Sequence, residues 1–144
     1  MISGTVSAGE PLAGYDDSHW PLVVVTYPSG PVSELGFKEN LRRLDEYAER
    51  GGPFGFVLDT RETPEPDAAR RRAIAEYWDS CALRFPDRFI GAAIVMSSST
   101  GRAIFKAISW LRNRPVVLVA VATPAEGISK LRAALKEKRQ AEAG

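Results

Sequence analysis

The chain has 144 residues, of which 44% are apolar and 26% charged, a composition typical of one folded globular domain. With 19 Lys and Arg against 18 Asp and Glu, the net charge of +1 removes the strongest electrostatic reason to expect nucleic acid or an anionic membrane as a partner. One Cys excludes an intramolecular disulfide, and one His with one Cys cannot form a Cys/His zinc site. We therefore expect neither a metal nor a cofactor.

The N-terminal segment, residues 1–14, is rich in Gly, Ser and Ala and has no sustained apolar period. It predicts either a flexible terminus or an edge strand. It also lacks the basic and apolar regions of a secretion signal, and no apolar run in the chain approaches the ~20 residues that cross a bilayer. These features predict a cytoplasmic protein without a membrane span.

The first clear pattern is a β-branched apolar run at residues 21–27, closed by Pro and Gly residues. Such a run is typical of a strand buried on both faces of a sheet. Ser33 then offers an N-cap to a helix that ends at Gly51. The apolar residues of this helix recur at helical spacing: Phe37, Leu41, Leu44 and Ala48.

The alternation of strand and helix continues to the end of the chain. Strands are predicted at residues 54–58, 89–96 and 115–121, and helices begin near residues 67, 97–100 and 123. The apolar stripes of these helices are Ala73, Tyr77 and Cys81, then Ile104, Ala107, Ile108 and Leu111, and last Ile128, Leu131 and Leu135. The pattern predicts one α/β domain at residues 15–138 and a tail at 139–144. Its sheet has four to five strands, mostly parallel or mixed, and about four helices cover at least one face.

In such a sheet, ligands favour the edge where strands end and helices begin. Four segments should converge there, at residues 27–30, 59–61, 97–102 and 123–124. We expect the working surface to come from the second and third of these, and we call its residues the polar edge: Asp59, Thr60, Arg61, Ser98, Ser99, Thr100 and Arg102. The serines and the following helix N-terminus present N–H donors to an anion, and Arg102 could add a bidentate contact. The alternative is that Ser99 or Thr100 only caps the helix and that the other serines form a solvated loop.

Three residues, Asp59, Cys81 and His19, bear on whether the chain could be an enzyme. Asp59 follows a buried strand, where a carboxylate could meet a metal or accept a phosphoryl group, but a turn residue paired with Arg61 is the favoured interpretation. Cys81 lies on an apolar stripe, and His19 is predicted at the opposite end of the sheet from Asp59. A buried structural thiol is therefore favoured over a nucleophile, and no catalytic constellation is visible. The basic residues of the last helix are interpreted as a solvated surface.

Three stretches resemble a known fold family. They are the run from His19 to Val25, the run from Phe54 to Asp59, and the long segment from Gly91 to Glu126. With these, the chain resembles STAS-like domains, and more narrowly the SpoIIAA-like bacterial group with the anti-sigma-factor-antagonist fold. The resemblance implies a mixed sheet of four or five strands with helices on one side, and a first strand that belongs to an antiparallel hairpin.

The resemblance also implies a function. Anti-sigma-factor antagonists bind a kinase-like partner and are switched by phosphorylation of a Ser that follows an Asp; the nearest hydroxyl here is Thr60. Thr60 is thus the candidate phosphorylation site, where a phosphate would add about two negative charges beside Arg61. The leading hypothesis is a non-enzymatic regulatory or protein-interaction module that binds a protein partner through the polar edge. The alternative is a domain that binds a small anion or lipid, and a homodimer stays open.

Overall fold

The computed structural model describes residues 13–30, 32–64, 67–110 and 116–143, and the side chains of 107–110 lie outside that description. The described elements run β1 (Gly14–His19), β2 (Leu22–Thr26), α1 (Glu34–Ala48), β3 (Phe54–Asp59), α2 (Ala68–Arg84), β4 (Phe89–Val95), α3 (Ser99–Trp110), β5 (Val117–Val121) and α4 (Pro124–Ala143). They form a single α/β domain with a mixed five-stranded sheet, which confirms the predicted fold class.

The strands follow chain order across the sheet, with β1 antiparallel to β2 and every later pair parallel. The strand β1 is polar and carries no buried stripe, because its side chains alternate between half-buried and exposed. The apolar pattern therefore did not predict it, although the antiparallel hairpin implied by the resemblance is present. Residues 1–12 of the predicted N-terminal segment lie outside the described residues, and Gly14 already belongs to β1.

One face of the sheet packs against α1 and α2. Its centre is aromatic: the rings of Trp78 and Phe89 stack at 5.9 Å, and Phe56 lies 6.0 Å from Trp78. The helix residues that fill this layer are Leu44, Ala48, Tyr77, Trp78 and Cys81. Burying a large apolar side chain is worth roughly 1.5–3 kcal/mol, so this layer carries much of the stability.

The other face packs against α4, through Leu131 and Leu135. Helices therefore cover both faces of the sheet, which fits the predicted cover of at least one face, whereas the resemblance implied helices on one side. The faces of β3 and β4 that α4 covers are also apolar and are buried by it. The predicted start of α4 is confirmed: the Glu126 amide donates to Thr123 Oγ1 at 3.2 Å, and the Ala122 amide donates to Glu126 Oε1 at 2.9 Å. The helix continues to Ala143, through residues that the sequence pattern assigned to the tail.

Side-chain caps begin two other helices; the cap at Ser33 is as predicted, whereas for α2 the pattern predicts only a start near residue 67. Ser33 Oγ accepts the Gly36 amide at 3.0 Å, and Asp67 Oδ1 accepts the Arg70 amide at 2.8 Å. The third helix differs from the prediction, since Ile104 is 56% exposed and does not belong to a buried stripe. Of the other stripe residues, Ala107, Ile108 and Leu111 lie outside the described side chains.

A series of side-chain hydrogen bonds connects β1 and the residue after β2 to α1. The Tyr15 hydroxyl donates to Asn40 Oδ1 at 2.8 Å, and Asn40 Nδ2 donates to the Tyr27 hydroxyl at 2.7 Å. Burial raises the pKa of Tyr15 to about 12, so the hydroxyl stays protonated and acts as the donor. These hydrogen bonds give the polar strand β1 a specific anchor that its own apolar content does not supply.

A one-residue slip in the register of β3 and β4 decides what meets at the polar edge. Phe54 pairs with Phe89, but Gly55 pairs with Gly91, and from there the register continues to the pair of Asp59 and Val95. Gly91 has φ of +148°, a conformation that L side chains rarely adopt. Without the slip, Ile94 would face Asp59 in place of Val95.

Candidate functional site

The first half of the polar edge is a carboxylate held by its neighbour. Asp59 ends β3 and is 8% exposed. The Arg61 guanidinium forms a bidentate ion pair with this carboxylate: Nε donates to Oδ1 at 2.9 Å and Nη2 donates to Oδ2 at 2.8 Å. These hydrogen bonds hold the pKa of Asp59 below its usual range against the opposing effect of burial. The pairing of Asp59 with Arg61 is thus confirmed, and this carboxylate is a poor candidate for a general base.

Thr60 joins the end of β3 to the end of β4. Its amide and its hydroxyl both donate to the Val95 carbonyl oxygen, at 3.1 and 2.9 Å. The loop then turns back, with Thr63 Oγ1 donating to the Pro28 carbonyl oxygen at 2.5 Å. The Thr60 hydroxyl is therefore occupied in this state, and a phosphoryl group on it would displace the bond to Val95.

The second half of the polar edge is the start of α3. Ser98 Oγ accepts the Gly101 amide at 3.0 Å, so Ser98 is the cap, and the prediction of Ser99 or Thr100 as the cap is wrong by one or two positions. Ser99 and Thr100 are exposed on the first turn. Arg102 turns back toward the sheet and donates from Nη1 to the Met96 carbonyl oxygen at 2.6 Å.

The structure brings the two halves together through β4. Thr60 and Arg102 donate to consecutive carbonyl oxygens, those of Val95 and Met96. This adjacency follows from the parallel pairing of β3 with β4, as the sequence analysis expected. Both guanidinium groups of the polar edge have protein acceptors, which position them within this surface.

The described residues outside the polar edge show no metal or nucleophile arrangement. Within residues 13–30, 32–64, 67–110 and 116–143, no group of three or more His, Cys, Asp or Glu side chains could hold a metal. Cys81 is buried, and desolvation raises the pKa of its thiol, which disfavours the reactive thiolate. His19 lies at the end of β1, far along the sheet from Asp59, as predicted.

A second candidate site lies at the end of the sheet where His19 is found, beside the basic residues of α4 that the sequence predicts to be a solvated surface. A cavity of about 490 Å³ opens between the β1–β2 turn and the second half of α4. We call it the basic pocket, and its lining includes Trp20, Leu22, Leu135, Arg132, Lys136 and Arg139. The helical spacing of Arg132, Lys136 and Arg139 is visible in the sequence. The opposite wall of the pocket, however, comes from the turn between β1 and β2, about 110 residues earlier in the chain.

Comparison with known proteins identifies the architecture. A crystal structure of an uncharacterized protein from the DUF3478 family, from Shewanella loihica PV-4 and with a SpoIIAA-like fold, superposes with a TM-score of 0.55. The two proteins share 15% sequence identity over 88% of this chain and 99% of that chain. This chain has a SpoIIAA-like fold. The resemblance drawn from the sequence motifs is confirmed at that level.

At 15% identity the likeness extends to the SpoIIAA-like fold alone and carries no function. No protein-family model matches the sequence. No curated protein matches it either. None of the helices within the described residues combines the length and apolar character that crossing a bilayer requires.

Proposed function

We propose that this chain is a non-enzymatic regulatory module of the bacterial cytoplasm that binds a partner protein through the polar edge. The observation that carries the proposal is the pair of hydrogen bonds from Thr60 to the last carbonyl of β4, that of Val95, and from Arg102 to the carbonyl of the next residue, Met96. These bonds hold the backbone of both loops in place, and a preorganised surface loses less entropy when a partner binds. Beside it, Ile104 offers an exposed apolar side chain on α3.

Thr60 supplies the regulatory part of the proposal. A phosphoryl group there would break the hydroxyl bond to Val95 and place negative charge beside the Asp59 carboxylate. The Arg61 guanidinium would then lie near two anionic acceptors, the Asp59 carboxylate and the phosphate, and we expect the more highly charged phosphate to bind it more strongly. Modification would thus loosen the loop and move Arg61, which changes the surface presented to the partner.

The small-molecule alternative has less support at this edge. An anion at the start of α3 would meet an Arg102 guanidinium that already donates from Nη1 to the Met96 carbonyl oxygen, so fewer of its N–H groups are available. Self-association stays a prediction.

The test measures how partner binding depends on the polar edge. A protein recovered with the wild-type chain from its native cell is purified, and its Kd is measured for wild type, Arg61→Gln, Ile104→Ser and Leu83→Ser. Leu83 is the matched control, because it is an exposed apolar residue (74%) that lies on α2. We expect Arg61→Gln and Ile104→Ser each to raise Kd about tenfold, or about 1.4 kcal/mol, and the control to leave it within about twofold.

A second arm tests the switch. Thr60→Glu should raise Kd, whereas Thr60→Val should raise it much less, because the Thr60 amide still donates to the Val95 carbonyl oxygen and no negative charge is added. Equal effects of Ile104→Ser and Leu83→Ser, or a Kd unchanged by Arg61→Gln, would contradict the polar edge as the binding surface.

A further inference from the structure

We propose that the basic pocket binds a small organic phosphate, with the phosphoryl group on the cations of α4 and an apolar substituent against the Trp20 side chain. The pocket lies at the end of the sheet where β2 begins, at Leu22, whereas the polar edge lies where β2 ends. The two sites share no residue, so this site is independent of the proposed function.

The charge of the pocket is uncompensated. Arg132, Lys136 and Arg139 lie at helical spacings of four and three residues, which places them on one face of α4, and all three line the cavity. No Asp or Glu lines it, and among the described residues none of the three forms an ion pair. By contrast Lys138, on another side of the same helix, pairs with Glu142 at 3.5 Å. Like charges so close together repel, and a bound dianion would relieve that repulsion.

One of these cations is already positioned at the pocket. Arg132 Nη2 lies 3.2 Å from His19 Nδ1. A guanidinium can only donate, so His19 Nδ1 is the acceptor in this contact. The contact turns Arg132 toward the β1–β2 turn and holds its guanidinium at the cavity that Lys136 and Arg139 also line.

The floor of the pocket is apolar and fixed. Leu22 is fully buried and Leu135 nearly so, because both belong to the core layer under α4. The Trp20 ring is held by Arg50, whose guanidinium lies 4.8 Å from the ring centroid and also forms an ion pair with Asp17 at 2.8 Å. The wall therefore exists before any ligand arrives.

Size and chemistry together select the ligand class. The cavity of about 490 Å³ lies within the usual range of roughly 300–1,000 Å³ for small-molecule sites. Inorganic phosphate would meet the cations but leave the exposed part of the Trp20 side chain in water, and a neutral aromatic molecule would leave the cations unmatched. A phosphate monoester with a small apolar group satisfies both.

The experiment uses the full chain and three probes: phenyl phosphate, inorganic phosphate and benzyl alcohol. Affinity is measured by calorimetry, and the site is located from amide chemical shifts. We expect phenyl phosphate to bind at least about fivefold more tightly than either other probe and to shift the amides of Leu22 and Leu135 but not that of Thr60.

Lys136→Gln and Lys130→Gln form a matched pair, since both remove one positive charge from an exposed position of α4 and only Lys136 lines the pocket. We expect Lys136→Gln to weaken phenyl phosphate about tenfold and Lys130→Gln less than twofold. No saturable binding of phenyl phosphate, equal affinity for inorganic phosphate, or equal effects of the two substitutions would each overturn the proposal.

Discussion

Gly91→Ala is the substitution whose effect the structure defines most sharply. Gly91 sits at the register slip between β3 and β4, with φ of +148°. An added Cβ would overlap the Val117 carbonyl oxygen and lie 2.7 and 2.8 Å from the Val117 carbonyl carbon and amide nitrogen. All of these atoms belong to the backbone of the neighbouring strand, so no side-chain rotation can relieve the clash.

The expected cost has two parts. Holding a non-glycine residue in a sparsely populated backbone region and overpacking a filled interior each cost about 1–3 kcal/mol, so we expect a loss of about 2–6 kcal/mol. A domain of ordinary stability has about 5–15 kcal/mol in total, so this loss would be a large share of it. The register slip also places Val95 opposite Asp59. If the substitution shifted the register, the Val95 carbonyl oxygen would no longer lie where Thr60 donates to it.

Urea unfolding followed by Trp fluorescence measures this cost, because Trp78 stacks on Phe89 in the core. Gly14→Ala is the control: no atom lies within 4 Å of its added Cβ and its φ is not in the positive region. We expect the control to stay within about 0.5 kcal/mol of wild type. Hydrogen exchange at the Thr60 amide should accelerate in Gly91→Ala and not in the control. A Gly91→Ala chain as stable as Gly14→Ala would refute the assigned register.

Three other outcomes are expected. Because the pKa of Asp59 is lowered in the folded state, its pairing with Arg61 stabilises the fold above the unfolded pKa of roughly 4, and this stability is lost as the pH falls through the folded pKa. In Arg61→Gln, the free energy of unfolding measured from about pH 2 to 6 should therefore depend less on pH than in wild type. Asn40→Leu removes the partner of two tyrosine hydroxyls and should lower the free energy of urea unfolding by about 1–3 kcal/mol, unlike the exposed Lys38→Leu. The buried Cys81 thiol should react with a thiol reagent only as fast as the chain unfolds, and rapid stoichiometric labelling of the native protein would contradict its burial.

The elements that the sequence predicts are those with an apolar period of their own. The strands from β2 to β5 and the caps at Ser33, Asp67 and Thr123 follow from local patterns. The strand β1 does not, because it is polar and is held by main-chain pairing with β2 and by the bond from Tyr15 to Asn40. The bond from Tyr15 to Asn40 joins residues 25 positions apart, and no local pattern reports it.

The candidate sites divide in the same way. The location of the polar edge follows from the rule that parallel strands end together, but its hydrogen bonds depend on the slip at Gly91. Nothing in the local sequence distinguishes Gly91 from Gly55, which pairs with it and has an ordinary φ. The basic pocket required knowing that His19 and Trp20 face α4, a contact between opposite ends of the chain.

One helix reaches both sites, and its packing bears on whether they communicate. The helix α4 begins beside the polar edge, after β5, and its second half lines the basic pocket. Near its start, a Cβ on Gly127 would lie 3.0 Å from Val57 Cγ1 and 3.1 Å from Ala93 Cβ, so the helix backbone rests directly on β3 and β4. Packing this close opposes sliding or rolling of the helix. Because coupling between sites needs an element with two arrangements, and this contact favours one position of α4, we expect phenyl phosphate in the basic pocket to leave partner affinity at the polar edge unchanged.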